Sequence, residues 1–151
     1  MTNERRIFAE SNGNEFEDNM IGAIKTRLRN KNQLDRLIVH SDDDLDRFQG
    51  TDFEIDGVRV DATCAFSHKD HMANTNFEPL YTPYGNLKFG IRTGNSHNGY
   101  TKFEKPVVVV GMDLDDWYAR TYADAISEAI TKMAPMIISY IKECYEEFIN
   151  A

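Results

Sequence analysis

Cysteine is scarce in this chain of 151 residues, which has only Cys64 and Cys144. Two cysteines do not make a disulfide framework, so the fold must rest on a hydrophobic core. Both lie in apolar surroundings and read as buried thiols of a reducing compartment. No run reaches the roughly 18 consecutive apolar residues that a membrane span needs. The opening segment, Met1 to Glu10, is charged and has no apolar signal core, which makes cytoplasmic the expected location. Cations are outnumbered as well, 17 Lys and Arg against 25 Asp and Glu, for a formal net charge of -8. Affinity for a phosphate backbone comes from Lys and Arg, so bulk attraction to nucleic acid is excluded. Contact with DNA or RNA then requires a local basic patch or bound metal ions. Otherwise an acidic chain of this kind imitates nucleic acid and binds a basic protein. Tracts rich in Pro, Gly or Ser are missing too, and no internal repeat is visible. Residues 1–151 therefore read as one domain, long enough to bury a single core.

The pattern that is present is that of an α/β fold. Residues 11–15, Ser-Asn-Gly-Asn-Glu, predict a turn. Phe16, Met20, Ile24 (with Ala23) and Leu28 then recur at three- and four-residue steps, which predicts a helix from about 15 to 30. Lys25, Arg27, Arg29 and Lys31 place positive charge where the helix dipole favours it. Leu37-Ile38-Val39-His40 reads as a short strand, followed by an acidic turn, Ser41-Asp42-Asp43-Asp44. Between 52 and 66, Phe53, Ile55, Val58, Val60, Ala62, Cys64 and Phe66 occupy one side around Asp56-Gly57, a strong hairpin signal.

Residues 67–86, with Pro79 and Pro83, predict a long functional loop. A strand is expected at 87–92, then a Gly- and Asn-rich loop at 94–99. Pro106 to Val110 is apolar on both faces, hence a buried central strand. From Asp115 to Asn150 the chain reads as helical, with Ile126, Ile130, Met133, Ile137, Ile141, Cys144 and Phe148 as its stripe and a break or kink at Pro135 near Ala134. This order predicts a mixed central β-sheet containing a β-hairpin, flanked by an N-terminal helix and long C-terminal helices.

The hairpin carries the chemistry. A two-residue turn at Asp56-Gly57 sets Ile55 against Val58, Glu54 against Arg59, Phe53 against Val60 and Asp52 against Asp61. Period two puts Asp52, Glu54, Arg59, Asp61 and Thr63 on the face opposite the apolar one. Glu54 and Arg59 suit a cross-strand ion pair. Asp52 and Asp61 are like charges with β-carbons roughly 4.5–5.5 Å apart, an arrangement that is destabilising as it stands. A shared proton, a basic neighbour or a divalent cation relieves such a pair. The alternative is a pair near a solvated sheet edge, screened by water.

A glutamate-bearing helix, an aspartate at a hairpin entrance and an acid in the second hairpin strand together resemble the PD-(D/E)XK nuclease superfamily. The matching residues are Glu15 or Glu17, Asp52, and Asp61 within Val60-Asp61-Ala62-Thr63. The resemblance covers roughly residues 14–66. It implies a restriction-endonuclease-like fold in which Asp52, Asp61 and Glu17 hold magnesium and the metal activates water for attack on a phosphodiester. The family's lysine, two residues after the second carboxylate, is Thr63 here. Thr cannot supply a cation and is no base at neutral pH. Lys69 and Lys88 are the lysines placed to fill that space. The catalytic candidates are thus Asp52, Asp61, Thr63 and Lys69.

Cys64, His68 and His71 have a spacing compatible with zinc. A structural zinc site usually needs four ligands, and Cys64 falls on the apolar side, so a core thiol beside two loop histidines is the favoured reading. His68, Lys69 and His71 either belong to a solvated loop, the favoured reading, or meet a phosphate at the rim of the aspartate pair. Arg92-Thr93-Gly94-Asn95 is either a plain turn or a loop whose backbone N–H groups take an anion. No nucleophile-elbow pattern supports a hydrolase triad. Trp117, Tyr118 and Tyr122 read first as packing residues and second as a partner surface, and Asp42, Asp43, Asp44, Asp113, Asp115 and Asp116 as a solvated surface with helix caps.

Three functions follow. The first is a magnesium-dependent phosphodiesterase acting on DNA or RNA. The second is a catalytically inactive nuclease-like fold that binds a basic nucleic-acid-binding partner. The third is a homodimer held through the C-terminal helix.

Overall fold

A computed structural model describes residues 3–40, 43–64, 72–74, 77–82, 85–94, 102–112 and 123–151, with 3–14, 47–48, 74 and 123–127 described as backbone only. Helix α1 spans Asn3–Asn30, strand β1 Leu37–Val39, helix α2 Asp44–Gln49, β2 Phe53–Ile55 and β3 Val58–Thr63. Then come β4 Met72–Asn74, β5 Leu80–Thr82, β6 Gly85–Arg92, β7 Val107–Gly111 and helix α3 Ala123–Ile149. The fold is α/β, with a mixed sheet in the order β1-β2-β3-β7-β6-β4 and β5 paired to β6. Among the described strands, only β3 and β7 run parallel.

The helix expected from 15 to 30 begins much earlier, and the turn expected at 11–15 is helical. Gly13 and its asparagine neighbours are poor helix formers, at about 1 kcal/mol for the glycine. A helix already nucleated by its packed half propagates through such positions. That half is packed: Phe16, Met20, Ile24 and Leu28 are all buried. α3 likewise runs on through Pro135, where a break or kink was expected, so the helix is not broken there. Its stripe, Ile130, Ile137, Ile141 and Cys144, is buried against α1 and the sheet, and Met133 and Phe148 are partly buried. The packed stripe holds the helix together across the missing N–H. Met136 and Ile149 remain exposed on α3.

The long loop expected at 67–86 contains β4 and β5, both formed on the edge of β6. The acidic turn after β1 leads into α2. Asp43 is its N-cap, with Oδ1 accepting from Asp46 N–H at 3.0 Å, and Gly50 at φ 56° closes it in the left-handed conformation. The central strand is where the sequence puts it: β7 is wholly buried between β3 and β6. Cys64 and Cys144 are both buried and form no disulfide.

Candidate functional site

The hairpin folds in the expected register. Phe53, Glu54 and Ile55 pair with Val60, Arg59 and Val58, around a turn in which Asp56 (φ 51°) and Gly57 (φ 80°) both have positive φ. These are the angles of the tight turn whose twist matches the strands. The turn is latched from outside. Arg36 donates through Nε (2.8 Å) and Nη2 (2.7 Å) to the Asp56 carboxylate, and Lys142 Nζ lies 3.1 Å away. The Arg36 hydrogen bonds, with help from Lys142, bring Asp56 down to a pKa of about 2.

At the other end the ladder stops at Phe53 and Val60, so Asp52 and Asp61 are not the regular opposed pair that was expected. The chain turns away to meet Gly50, and Asp52 is pinned at the point of departure. Its N–H donates to Val60 C=O at 2.8 Å, and its own C=O accepts from His40 N–H at 2.8 Å. Its Oδ2 accepts from Ala62 N–H at 2.9 Å, occupying a donor that β2 no longer covers. The carboxyl still reaches Asp61. Burial above all, then the Asp61 and Glu17 charges, raise the Asp52 pKa to about 10, and the hydrogen bond to Asp61 acts in the same direction. At neutral pH Asp52 therefore carries a proton that it shares with Asp61.

No solvated sheet edge accounts for this pair. Asp52 and Asp61 are 8% and 7% exposed, and every residue of β3 is buried. Of the three reliefs, the shared proton is present, and among the described residues a basic group stands at the margin of contact, with Arg92 Nη1 3.9 Å from Asp61 Oδ2. Glu17 is half-buried on α1, whereas Glu15 is exposed. Burial, followed by the charges of Asp46, Asp61 and Asp18, raises Glu17 to about 7. Glu17 is therefore the helix glutamate coupled to the pair.

Thr63 is buried on the Asp61 face of β3. In register it stands beside Gly111, which in turn faces Lys88 on β6. Lys88 thus shares a row with the Thr63 position, separated from it only by a residue without a side chain. Lys69, His68, His71, Asn95, Trp117, Tyr118 and Tyr122 lie outside the described residues. So do Asp42, Asp113, Asp115 and Asp116. Cys64 packs in the core, as the thiol reading expects.

The Glu54–Arg59 ion pair does not form, although the two are opposite each other in the ladder. Glu54 is taken by His40, whose Nε2 lies 2.8 Å from Glu54 Oε2 and whose Nδ1 lies 2.6 Å from Asp43 Oδ2. Burial opposes charge on that ring, but the hydrogen bonds to Glu54 and Asp43 outweigh it and the His40 pKa is raised. Arg59 turns instead to Gln49 Oε1 and Glu104 Oε2, both at 3.4 Å. Sequence reasoning missed the role of His40, and it read Arg92 as part of a turn or anion-binding loop, not as a neighbour of Asp61. The alternation of Lys88, Gly90 and Arg92 along β6 was the available signal for Arg92.

Carboxylate oxygens suit a hard divalent cation, and magnesium is often held by only one or two protein carboxylates, with water and substrate phosphate completing the shell. Asp52 and Asp61 fit that donor chemistry, and their shared proton marks a place where positive charge is stabilised. Among the described residues, no three His, Cys, Asp or Glu side chains already stand together as an ion-holding group. No helix among the described residues is long and apolar enough to cross a membrane. No protein-family model, no curated protein and no solved structure matches the chain.

Proposed function

We propose that this chain is a divalent-metal-dependent, nuclease-like protein that acts on or binds nucleic acid through Asp52 and Asp61. The observation that carries the proposal is the buried contact between these two carboxyls at the open end of the hairpin, with Glu17 electrostatically tied to both. The resemblance of residues 14–66 to PD-(D/E)XK nucleases supports the same reading.

Asp52 and Asp61 would hold the cation, magnesium in the first instance, with Glu17 in support. When bound, the ion supplies a Lewis acid that activates water toward a phosphodiester. The Ala62 N–H fixes the orientation of Asp52 Oδ2. The proton held between the two acids must leave before both can act as ligands, so loading is favoured at higher pH. Lys88, in the row of Thr63, is the described lysine placed to stand in for the one that β3 lacks.

The test is cleavage of DNA and RNA with magnesium or manganese by the wild type and by Asp61→Ala. Activity in the variant should fall by about a hundredfold or more. Equal activity in the two proteins would remove the proposal.

A second reading is favoured by Thr63, a buried hydroxyl where the family places a cation. On that reading the chain is an inactive acidic binder of a basic nucleic-acid-binding protein. Its association should be salt-sensitive and indifferent to chelators.

A further inference from the structure

A second feature of the same sheet face is a row of cations. Arg59, Val107 and Arg92 are in register across β3, β7 and β6. Their neighbours Val60, Val108 and Ile91 belong to the core beneath the helices. By the period of two, Arg59 and Arg92 therefore rise from the opposite face, with their Cα atoms roughly 10 Å apart across one valine. Arg59 and Arg92 are 8% and 3% exposed, and the Nε of each is buried without a hydrogen-bond partner.

What the fold supplies to these guanidiniums is loose. Arg59 reaches Gln49 and Glu104 only at 3.4 Å, and Glu104 is largely exposed. Arg92 lies 3.9 Å from Asp61, with its Cζ 4.9 Å from the Phe103 ring centroid. Strong charge-assisted bonds are shorter, about 2.7–2.9 Å. A buried charged donor left unsatisfied costs more than the ~1–3 kcal/mol of a neutral one. Gly50, which carries no side chain, adjoins Arg92 and Phe103. A Cβ on Gly50 would stand 3.4 Å from Arg92 Nη1 and 3.2 Å from Phe103 Cε1.

We propose that Arg59 and Arg92 form a recessed binding site for a phosphoryl oxyanion, one register row from Asp61. The planar forks of two arginines suit a tetrahedral anion with several acceptor oxygens, which satisfies the Nε–H groups and neutralises both charges at once. The phosphoryl group comes either from free phosphate and monoesters or from a nucleic-acid diester. Only assignment to the diester rests on the function proposed above. The oxyanion site itself does not.

The experiment is a titration of the intact, metal-free protein in chelator, following the arginine Nε–Hε resonances by NMR. Inorganic phosphate is the probe in one arm and a short single-stranded oligonucleotide in the other. We expect the Arg59 and Arg92 signals to shift together and saturate with phosphate, and Arg92→Lys to weaken the effect on Arg59 at least about tenfold. A saturating response to the oligonucleotide assigns the site to diesters, and a response to phosphate alone assigns it to free phosphate or monoesters. Either supports the site. Absence of a saturating shift in either signal up to about 50 mM phosphate overturns it. Should Arg92→Lys fail to fold, the wild-type titration still decides. Because no metal is present, the outcome is independent of the cleavage assay on Asp61→Ala.

Discussion

The two ends of one hairpin hold aspartates in opposite electrostatic states. At the turn, Asp56 has a bidentate Arg36 and nearby Lys142, and its pKa falls to about 2. At the open end, Asp52 is buried against Asp61 and its pKa rises to about 10. One carboxylate is fully answered by cations within the fold. The other shares a proton with Asp61, and among the described residues the Arg92 guanidinium lies 3.9 Å from that neighbour. Asp56 meets its cations within the fold, whereas the function proposed for Asp52 and Asp61 takes one from outside.

The largest effect that sharpens this contrast is on metal affinity. Asp52→Asn should keep the acceptor for Ala62 N–H while removing one ligand, and manganese affinity measured by calorimetry should fall about a hundredfold. Asp56→Asn should leave that affinity unchanged. The contrast breaks if both variants lose it equally.

Stability should diverge in the opposite sense. The native state retains the Asp52 proton where the unfolded chain has lost it, so the pair removes stability as pH rises from about 4 toward 10. Asp52→Asn should therefore be more stable than wild type at pH 8, with the gap closing near pH 4. For Asp56 the sign reverses. Its folded pKa is depressed, so its contribution is present above about pH 4 and is lost as pH falls toward 2. After solvent screening that contribution is about 1 kcal/mol. Thermal melts of Asp56→Asn at pH 7 and pH 2 measure it, with a deficit expected only at pH 7.

The smallest effect belongs to His40, which joins the N-cap of α2 to β2 through Asp43 and Glu54. Its folded pKa is raised, so its contribution is complete below about pH 6.5 and fades as pH rises through the folded value. His40→Gln should melt lower than wild type at pH 5.5, by less than Asp56→Asn does at pH 7. The difference should shrink at pH 9.

The helix face of the sheet was legible in the sequence because its signals are local. The Asp-Gly turn fixed three residue pairs, and the apolar run 107–110 marked the central strand. The opposite face was not legible as a buried one. It is contacted by pieces far apart in the chain, namely Gln49 from the end of α2 and the segment bearing Phe103 and Glu104. Alternation showed that Arg59 and Asp61 share a side, but not that this side is closed from water. β4 and β5 were hidden for a similar reason. Each is three residues long and exists only by pairing with β6. At the candidate site, the proximity of Asp52 and Asp61 followed from the turn. The bend that ends their ladder, the Ala62 N–H contact and the approach of Arg92 depended on long-range packing.

The central claim is that a divalent cation displaces the proton shared by Asp52 and Asp61. Calorimetric titration of magnesium or manganese in two buffers of different ionisation enthalpy measures it directly, because the difference in heat counts protons released. The account predicts saturable binding that liberates close to one proton per ion at neutral pH, with both the binding and the release lost in Asp52→Asn. Binding without proton release, or no binding at millimolar ion, would contradict it.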